Sequence, residues 1–311
     1  MTAPDDASRG RSLFSHFLVS AALGICAQTP PRVARGIASL LAAVEYRFRP
    51  TRRAAVLANL AQIARSGHPK LKHPSDRERM ARSVFRSYHR FVAEFFAQRS
   101  LTRARWNGFF RFQGMDRLYQ AVASGRGVVI TAPHLGNWEL GGLALARLGF
   151  RVHVVTGTQI HPIVHAAIRS LKEESGIAVS TPEDGFHPLL ETLRHGGLVV
   201  LLADGDVYRR GLPAPFFGAS IPFPAGPALL ARRSGAPLLH AHAARTPRGH
   251  QISFDALDFP DRALSLRRDL VRLTGRMAAE QERNIAAHVA QWCIFRPFFQ
   301  PSLPDVQKHA A

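Results

Sequence analysis

Short β-prone runs alternate with helical segments between residues 127 and 254, and this alternation constrains the fold more than any other feature of the sequence. Apolar runs bounded by Gly or Pro are typical of buried strands in a parallel sheet. Strands that alternate with helices predict a layered α/β sheet with helices on both faces. The predicted strands are 127–132, 151–156, 177–180, 197–203, 237–244 and 250–254.

Helical periodicity covers most of the remaining sequence. Apolar residues recur at three- and four-residue spacing in 51–64 and 76–98, before the first strand. Further helices are predicted at 138–148, 161–175, 186–195, 224–234 and 265–290. The 311 residues fit one large domain. We therefore expect a single domain over 1–311 with an α/β catalytic core at 126–256.

The N-terminal segment at 11–48 is apolar and basic, and it favours association with a membrane. An apolar run at 13–27 is shorter than the roughly 20 residues that a spanning helix needs. Pro30 and Pro31 separate it from a second apolar piece at 33–44. Two such pieces with flanking arginines indicate an interfacial helical hairpin on an anionic membrane surface. A signal peptide and an ordinary pair of core helices are the alternatives.

The chain is strongly basic, with 41 Lys and Arg against 22 Asp and Glu and a formal charge of +19. Such a surface attracts anions, including phospholipid headgroups, an acidic carrier protein or nucleic acid. The sequence contains no helix-turn-helix signature, Cys/His finger or Gly-Lys phosphate loop, so we expect no nucleic-acid partner. The two cysteines, Cys26 and Cys293, exclude a disulfide framework and a Cys-based zinc site.

The residues that indicate chemistry follow the first strand of the predicted core, in the run Pro-His-Leu-Gly-Asn-Trp-Glu at 133–139. Ligands of α/β sheets bind outside the carboxyl ends of the strands. On a continuous helix, His134 and Glu139 would lie about 140° apart. They can meet if His134 lies in the turn before the helix, which Gly136 and Asn137 favour. A carboxylate on one imidazole nitrogen leaves the other free to act as a general base.

A His and a Glu at this spacing are not specific by themselves, and a His bonded at a helix start is the structural alternative. The position after a strand and the Gly-Asn-Trp sequence between the two residues favour a functional site. The run contains no Ser or Cys. It therefore predicts direct deprotonation of a substrate hydroxyl and not a nucleophilic triad.

Several ordered motifs resemble those of the bacterial lipid A biosynthesis acyltransferases, whose relatives include a mycobacterial phosphatidylinositol mannoside acyltransferase. The His-Leu-Gly-Asn-Trp-Glu run resembles the family's catalytic box. The other matching motifs are Ala-Asn-Leu at 58–60, Leu-Ala-Asp-Gly-Asp at 202–206, Phe-Phe-Gly at 216–218, Pro-Ala-Gly-Pro-Ala at 224–228, and Gln-Trp with Arg at 291–296. The resemblance covers most of the chain.

The resemblance implies an αβα sandwich of the glycerolipid acyltransferase type with an N-terminal membrane-associated helical segment. His134 would take a proton from an acceptor hydroxyl, and Glu139 would orient His134. The donor would be a thioester of acyl carrier protein or coenzyme A, and no resident cofactor or metal would be needed. The expected location is the cytoplasmic face of the inner membrane, because both donors are cytoplasmic.

Four residues are expected to bind substrate. Asn137 belongs to the catalytic box. Arg169 stands where the family has an arginine that can bind phosphate. Asp204 and Asp206 follow the strongest predicted strand and would bind acceptor hydroxyls, with a metal as the less favoured alternative. Gly205 replaces the polar residue common in that box, which leaves the acceptor open.

Two other functions remain open at this stage. The same dyad would make a thioester hydrolase if it activated water, and a member of the family without activity would be a membrane scaffold. The sequence does not identify the acceptor lipid, the acyl length or the oligomeric state.

Overall fold

The computed structural model describes residues 31–100, 106, 108–157, 162–205 and 211–299, without the side chains of 31–32, 99–100 and 162–165. The apolar run at 13–27 and the first part of the 11–48 segment lie outside the described residues. The same holds for Asp206.

The described strands form a seven-stranded sheet and a separate two-stranded hairpin. The sheet order is β1-β9-β8-β2-β5-β3-β4, and every neighbouring pair is parallel except the hairpin β8–β9. The strands are β1 Phe110–Gln113, β2 Val128–Ala132, β3 Val152–Val155, β4 Ala178–Ser180, β5 Leu198–Leu202, β6 Leu212–Phe216, β7 Ala219–Phe223, β8 Leu238–Thr246 and β9 Gly249–Asp258.

All six predicted strands are confirmed, but β1 and the hairpin β6–β7 were not predicted. The hairpin contains three prolines, at positions 213, 215 and 222. Proline cannot donate to a ladder, so a run with several prolines does not indicate a strand. A two-stranded ribbon tolerates them because one side of each strand needs no ladder partner. β1 is a four-residue edge strand, and its alternating Phe-Arg-Phe-Gln sequence is a strand signal that the sequence analysis missed.

The predicted helices that fall on described residues are also confirmed, with small differences at their ends, whereas the helix Met115–Ala123 was not predicted. The helices are α1 Pro31–Phe48, α2 Pro50–Arg65, α3 Pro74–Phe96, α4 Met115–Ala123, α5 Trp138–Arg147, α6 Pro162–Glu174, α7 His187–Arg194, α8 Gly226–Ser234 and α9 Leu266–Ala287. Within the described ranges, none of them is long and apolar enough to cross a membrane.

Helices cover both faces of the sheet, as the alternation predicted. Successive residues of β2 point to opposite faces. Val128 and Ile130 pack in one apolar cluster with residues of α4 and α5. Val129 packs in a second cluster with residues of α7, α8 and α9. The central strands are therefore buried on both sides, which explains their continuous apolar sequences.

A third apolar cluster joins the N-terminal helices to the hairpin β6–β7 and the C-terminal region. It contains Tyr46 of α1, Phe85 of α3, Phe216 of β6 and Trp292, which follows α9. The rings of Tyr46 and Phe85 meet edge to face at 5.3 Å. This cluster brings the segment around Trp292 to the end of the sheet where β2 and β5 terminate.

Candidate functional site

His134 and Asp204 follow two neighbouring parallel strands and meet at their carboxyl ends. Ala132, the last residue of β2, is paired with Leu202, the last residue of β5. His134 and Asp204 each lie two residues further along. The Nδ1 atom of His134 lies 2.5 Å from Oδ1 of Asp204. The backbone N–H of His134 also donates to Oδ2 of Asp204, at 2.9 Å.

The hydrogen bonds of Asp204 determine the tautomer of His134. The Asp204 side chain is fully buried, and Nε1 of Trp292 donates to its Oδ2 at 2.8 Å. An ionised carboxylate only accepts hydrogen bonds, so Nδ1 of His134 must carry the proton. The lone pair of neutral His134 is then on Nε2. The His134 side chain is 35% exposed, so a substrate can reach it.

The environment of His134 makes it a stronger base than a free imidazole. Burial favours the neutral ring, but the charge and hydrogen bond of Asp204 outweigh burial and raise the pKa of His134. Arg296 opposes this effect, and Glu139 adds a smaller contribution that raises the pKa. The arrangement suits a base that accepts a proton from a hydroxyl.

Glu139, which the sequence analysis expects to orient His134, pairs with a lysine in the structure. Glu139 lies in the first turn of α5, and its Oε2 is 3.0 Å from Nζ of Lys172 on α6. Lys172 is buried and also donates to Thr156, at 3.0 Å. The sequence predicted that Glu139 lies near His134, because the two residues are five positions apart across one turn and the start of one helix. The carboxylate that contacts the imidazole comes instead from the neighbouring strand, because β2 and β5 are adjacent in the sheet.

The turn between β2 and α5 is held tightly against β8. Gly136 has a φ of 68°, and a Cβ atom there would lie 1.9 Å from the carbonyl oxygen of Ala243. The backbone N–H of Asn137 donates to the same carbonyl at 3.0 Å. Gly136 N–H donates to the carbonyl of Gln291, also at 3.0 Å. Only glycine fits here, because a side chain would push the turn off the sheet.

Asn137, which the sequence analysis expects to bind substrate, makes structural contacts in the described chain. Its side chain is fully buried. Its Oδ1 accepts from the backbone N–H of Leu140 at 3.2 Å and caps α5. Its Nδ2 donates to Oε2 of Glu94 on α3, at 3.2 Å. Both ends of the amide are therefore used within the protein.

Glu94 joins α3 to the sheet beneath the His134 turn, and the sequence analysis did not identify it. Arg245 donates from Nε to Oε1 at 2.9 Å and from Nη2 to Oε2 at 2.8 Å. Nε2 of His250 lies 3.2 Å from Oε2. Burial disfavours the carboxylate, but His250 and Arg245 outweigh burial and lower the pKa of Glu94 to about 2. No local pattern marks Glu94, since its charged partner Arg245 lies 151 residues away and Asn137 lies 43 residues away.

Replacing Glu94 by glutamine is expected to lower the free energy of unfolding by about 3 kcal/mol at pH 7, because Arg245 is left without its charge partner in a mostly buried place. Urea unfolding measures the change. The folded pKa of Glu94 lies below its unfolded value, so its stabilisation is present above pH 4.5 and is lost as the pH falls toward about 2. The difference between the two proteins should shrink over that range.

The matched control is Glu191→Gln, which removes one partner of an exposed ion pair with Arg194. Its expected change is less than about 0.5 kcal/mol. Equal changes in the two variants would contradict the assignment of Glu94 as a buried clamp.

Arg169 does not join this cluster. Its side chain is exposed, and its Nε donates to Oε1 of Glu173 one turn later on α6, at 2.8 Å. Lys172, on the same helix, contacts Glu139 instead. The expectation that Arg169 binds substrate phosphate gains no support from these contacts.

Cys293 is close to the site but is not suited to nucleophilic chemistry. Its backbone N–H donates to the carbonyl oxygen of His134 at 2.9 Å. Burial raises the pKa of its thiol to about 12, so the thiol stays protonated at neutral pH. Within the described ranges, no group of three or more His, Cys, Asp and Glu side chains is arranged to hold a metal.

Comparison with known proteins identifies the family. The sequence model of the family described as bacterial lipid A biosynthesis acyltransferase matches residues 5–300. The chain belongs to this family. His134, Asp204 and Trp292, which meet in the site, all lie within the matched residues.

Individual relatives of known name are phosphatidylinositol mannoside acyltransferases. The protein from Mycobacterium tuberculosis (strain CDC 1551 / Oshkosh) is 31% identical over 200 residues, which cover 63% of this chain and 61% of the relative. The protein from Mycolicibacterium smegmatis is 28% identical over 255 residues, which cover 80% of each chain. The match thus spans less than two thirds of the tuberculosis protein.

Proposed function

We propose that the protein transfers a fatty acyl chain from an acyl thioester to a hydroxyl group of a glycolipid or phospholipid. The observation that carries this proposal is the His134–Asp204 pair at the carboxyl edge of the sheet, in which Asp204 binds Nδ1 and the His134 side chain is 35% exposed. Membership in the acyltransferase family supports the reaction class. The layered α/β fold agrees with an αβα sandwich of the glycerolipid acyltransferase type.

The proposed reaction needs no acyl-enzyme. Nε2 of His134 takes the proton of the acceptor hydroxyl as its oxygen attacks the thioester carbonyl carbon. The resulting imidazolium is stabilised by Asp204. The tetrahedral intermediate then collapses, the carbon–sulfur bond breaks, and the leaving thiolate receives the proton from His134. Neither a nucleophilic serine nor the buried Cys293 has a part in this sequence.

The donor in this proposal is a thioester of acyl carrier protein or coenzyme A. The named relatives support a glycolipid that contains phosphate as the acceptor, since they are phosphatidylinositol mannoside acyltransferases. The positive charge of the chain, +19, suits both an acidic carrier protein and an anionic lipid surface.

The exposed face of α1 supports association with a membrane surface. The side chains of Ala38, Ala42 and Tyr46 on one face are buried. The exposed face instead carries six large apolar side chains, at Val33, Ile37, Leu40, Leu41, Val44 and Phe48. An apolar stripe flanked by arginines is suited to the headgroup region of an anionic bilayer.

The function is tested by incubating the purified protein with acyl-coenzyme A or acyl carrier protein thioester, with and without a phosphatidylinositol mannoside in anionic vesicles. We expect free thiol to appear only with the acceptor, together with a lipid that has gained one acyl chain in the mass spectrum. The protein should sediment with the vesicles. Thiol release without an acceptor would favour a hydrolase, and no turnover with either donor would favour an inactive scaffold.

A further inference from the structure

Arg296 lies directly beside the His134–Asp204 pair. Gly205 follows Asp204 with a φ of 101°, and a Cβ atom there would lie 2.5 Å from Nη2 of Arg296. The same Cβ would lie 2.7 Å from Cε2 of Phe298. The absence of a side chain at 205 therefore gives the guanidinium its space next to the dyad.

The segment that carries Arg296 is held in place from α2. Asn59 is buried, and its Nδ2 donates to the carbonyl oxygen of Arg296 at 2.9 Å. Its Oδ1 accepts from the backbone N–H of Phe298 at 2.8 Å. The guanidinium carbon of Arg296 is also 5.5 Å from the centre of the Phe298 ring. One asparagine thus fixes the backbone on both sides, which gives the Asn at 59 in the Ala-Asn-Leu motif a physical role.

The charge of Arg296 is not neutralised by the described part of the chain. No described carboxylate lies within ion-pair distance of its guanidinium, whereas Arg169 pairs with Glu173 and Arg245 pairs with Glu94. Its side chain is exposed to solvent. The positive charge also reaches His134 and offsets part of the rise in the pKa of the imidazole, so the base is weaker than Asp204 alone would make it. A substrate anion bound to Arg296 would remove that disadvantage.

We propose that Arg296 binds the phosphate of a phosphoglycolipid acceptor and thereby places the acceptor hydroxyl at Nε2 of His134. The inference rests on the proposed acyl transfer. A guanidinium is always charged and can hold two phosphate oxygens at once. In acyl-coenzyme A the phosphates are separated from the thioester by the whole pantetheine arm, so an anion beside His134 comes from the acceptor. Arg296 takes the role that the sequence alone assigned to Arg169.

The test measures kcat and KM of the wild type, Arg296→Gln and Arg296→Lys with two acceptors, a phosphatidylinositol mannoside and an uncharged glycosyl diacylglycerol. In Arg296→Gln the ratio of kcat/KM between the charged and the uncharged acceptor should fall by about tenfold to hundredfold. The loss should appear in KM for the charged acceptor. Arg296→Lys should recover part of it. The matched control is Arg194→Gln, which removes an exposed arginine of α7 and should keep the wild-type ratio.

The donor is varied in the same way, between acyl-coenzyme A and the acyl thioester of N-acetylcysteamine, which has no phosphate. A loss confined to acyl-coenzyme A would overturn the proposal, because the phosphate would then belong to the donor. An equal fall of kcat with both acceptors would also overturn it and would place Arg296 at the oxyanion. An unchanged ratio would show that Arg296 binds no substrate phosphate.

A binding measurement separates failure of this proposal from failure of the proposed reaction. Glycerophosphoinositol, the deacylated headgroup, is titrated into the wild type and Arg296→Gln by calorimetry, with myo-inositol as the uncharged control. We expect weaker binding of glycerophosphoinositol to the variant and no difference for inositol. If the wild type shows no turnover but binds glycerophosphoinositol more tightly than Arg296→Gln does, acyl transfer is refuted and the phosphate site is retained. Equal binding of glycerophosphoinositol to the two proteins would refute the phosphate site.

Discussion

Replacing His134 by alanine is expected to lower kcat for acyl transfer by about 10³-fold. The alcohol of the acceptor is a weak nucleophile, and His134 is the group proposed to remove its proton during attack. The change leaves the backbone contacts of residue 134 in place, since its N–H donates to Asp204 and its carbonyl accepts from Cys293. KM for the acceptor should therefore change little. Steady-state rates with saturating donor measure the effect.

The control for His134→Ala is the thermal unfolding of both proteins as a function of pH. The folded pKa of His134 is raised, so its contribution to stability is present at acid pH and is lost as the pH rises through that pKa. Above that pKa the two proteins should unfold at similar temperatures. Full activity of the variant with a normal melting temperature would refute the assignment of His134 as the base.

Replacing Asp204 by asparagine is expected to lower kcat by about 10² to 10⁴-fold. The amide keeps the shape of the carboxylate but can donate a hydrogen bond to Nδ1 of His134. That bond favours the tautomer with its proton on Nε2, which cannot accept the proton of a hydroxyl. Loss of the negative charge also lowers the pKa of His134, so the acid limb of the pH–rate profile should move to lower pH.

The effect of Asp204→Asn is compared with that of Glu139→Gln. Glu139 acts on His134 through its charge alone and pairs with Lys172, so its replacement should cost only about tenfold in kcat, roughly 1.4 kcal/mol. A larger loss in Glu139→Gln than in Asp204→Asn would show that Glu139 is the functional partner. The double variant of His134→Ala and Asp204→Asn should be no slower than His134→Ala alone, because the two groups act as a unit.

The carboxylate partner of His134 could not be predicted from the sequence, as the contrast between Asp204 and Glu139 shows. Glu139 was predicted to be the partner of His134 because it lies five residues later, at the start of the helix that follows the His134 turn. Asp204 was placed at the same crevice, because it follows a strong predicted strand. The sequence does not show the order of the strands in the sheet. Only the pairing of β2 with β5, with Ala132 opposite Leu202, puts the two residues that follow these strands within hydrogen-bond distance.

The contacts of Asn137, Glu94 and Arg296 also could not be predicted from the sequence. The sequence placed Asn137 correctly at the start of a helix, where a cap is expected, but its burial by α3 depends on tertiary packing. Glu94 lies in an amphipathic helix like many solvated glutamates. Arg296 and Arg169 are both arginines in matching motifs, and only their surroundings distinguish a guanidinium paired with Glu173 from one beside Gly205 and the dyad.

The sequence by itself determined the six central strands, the helices between them, the turn that carries His134, and the family. These features depend on local periodicity, turn residues and short motifs, each of which can be recognised within ten to twenty residues of sequence. The tertiary structure decided the order of the strands, the partner of His134, the buried clamp at Glu94 and the exposed charge of Arg296. Each of those depends on contacts between residues far apart in the chain, because the free energy that selects them comes from packing and burial and not from local conformation.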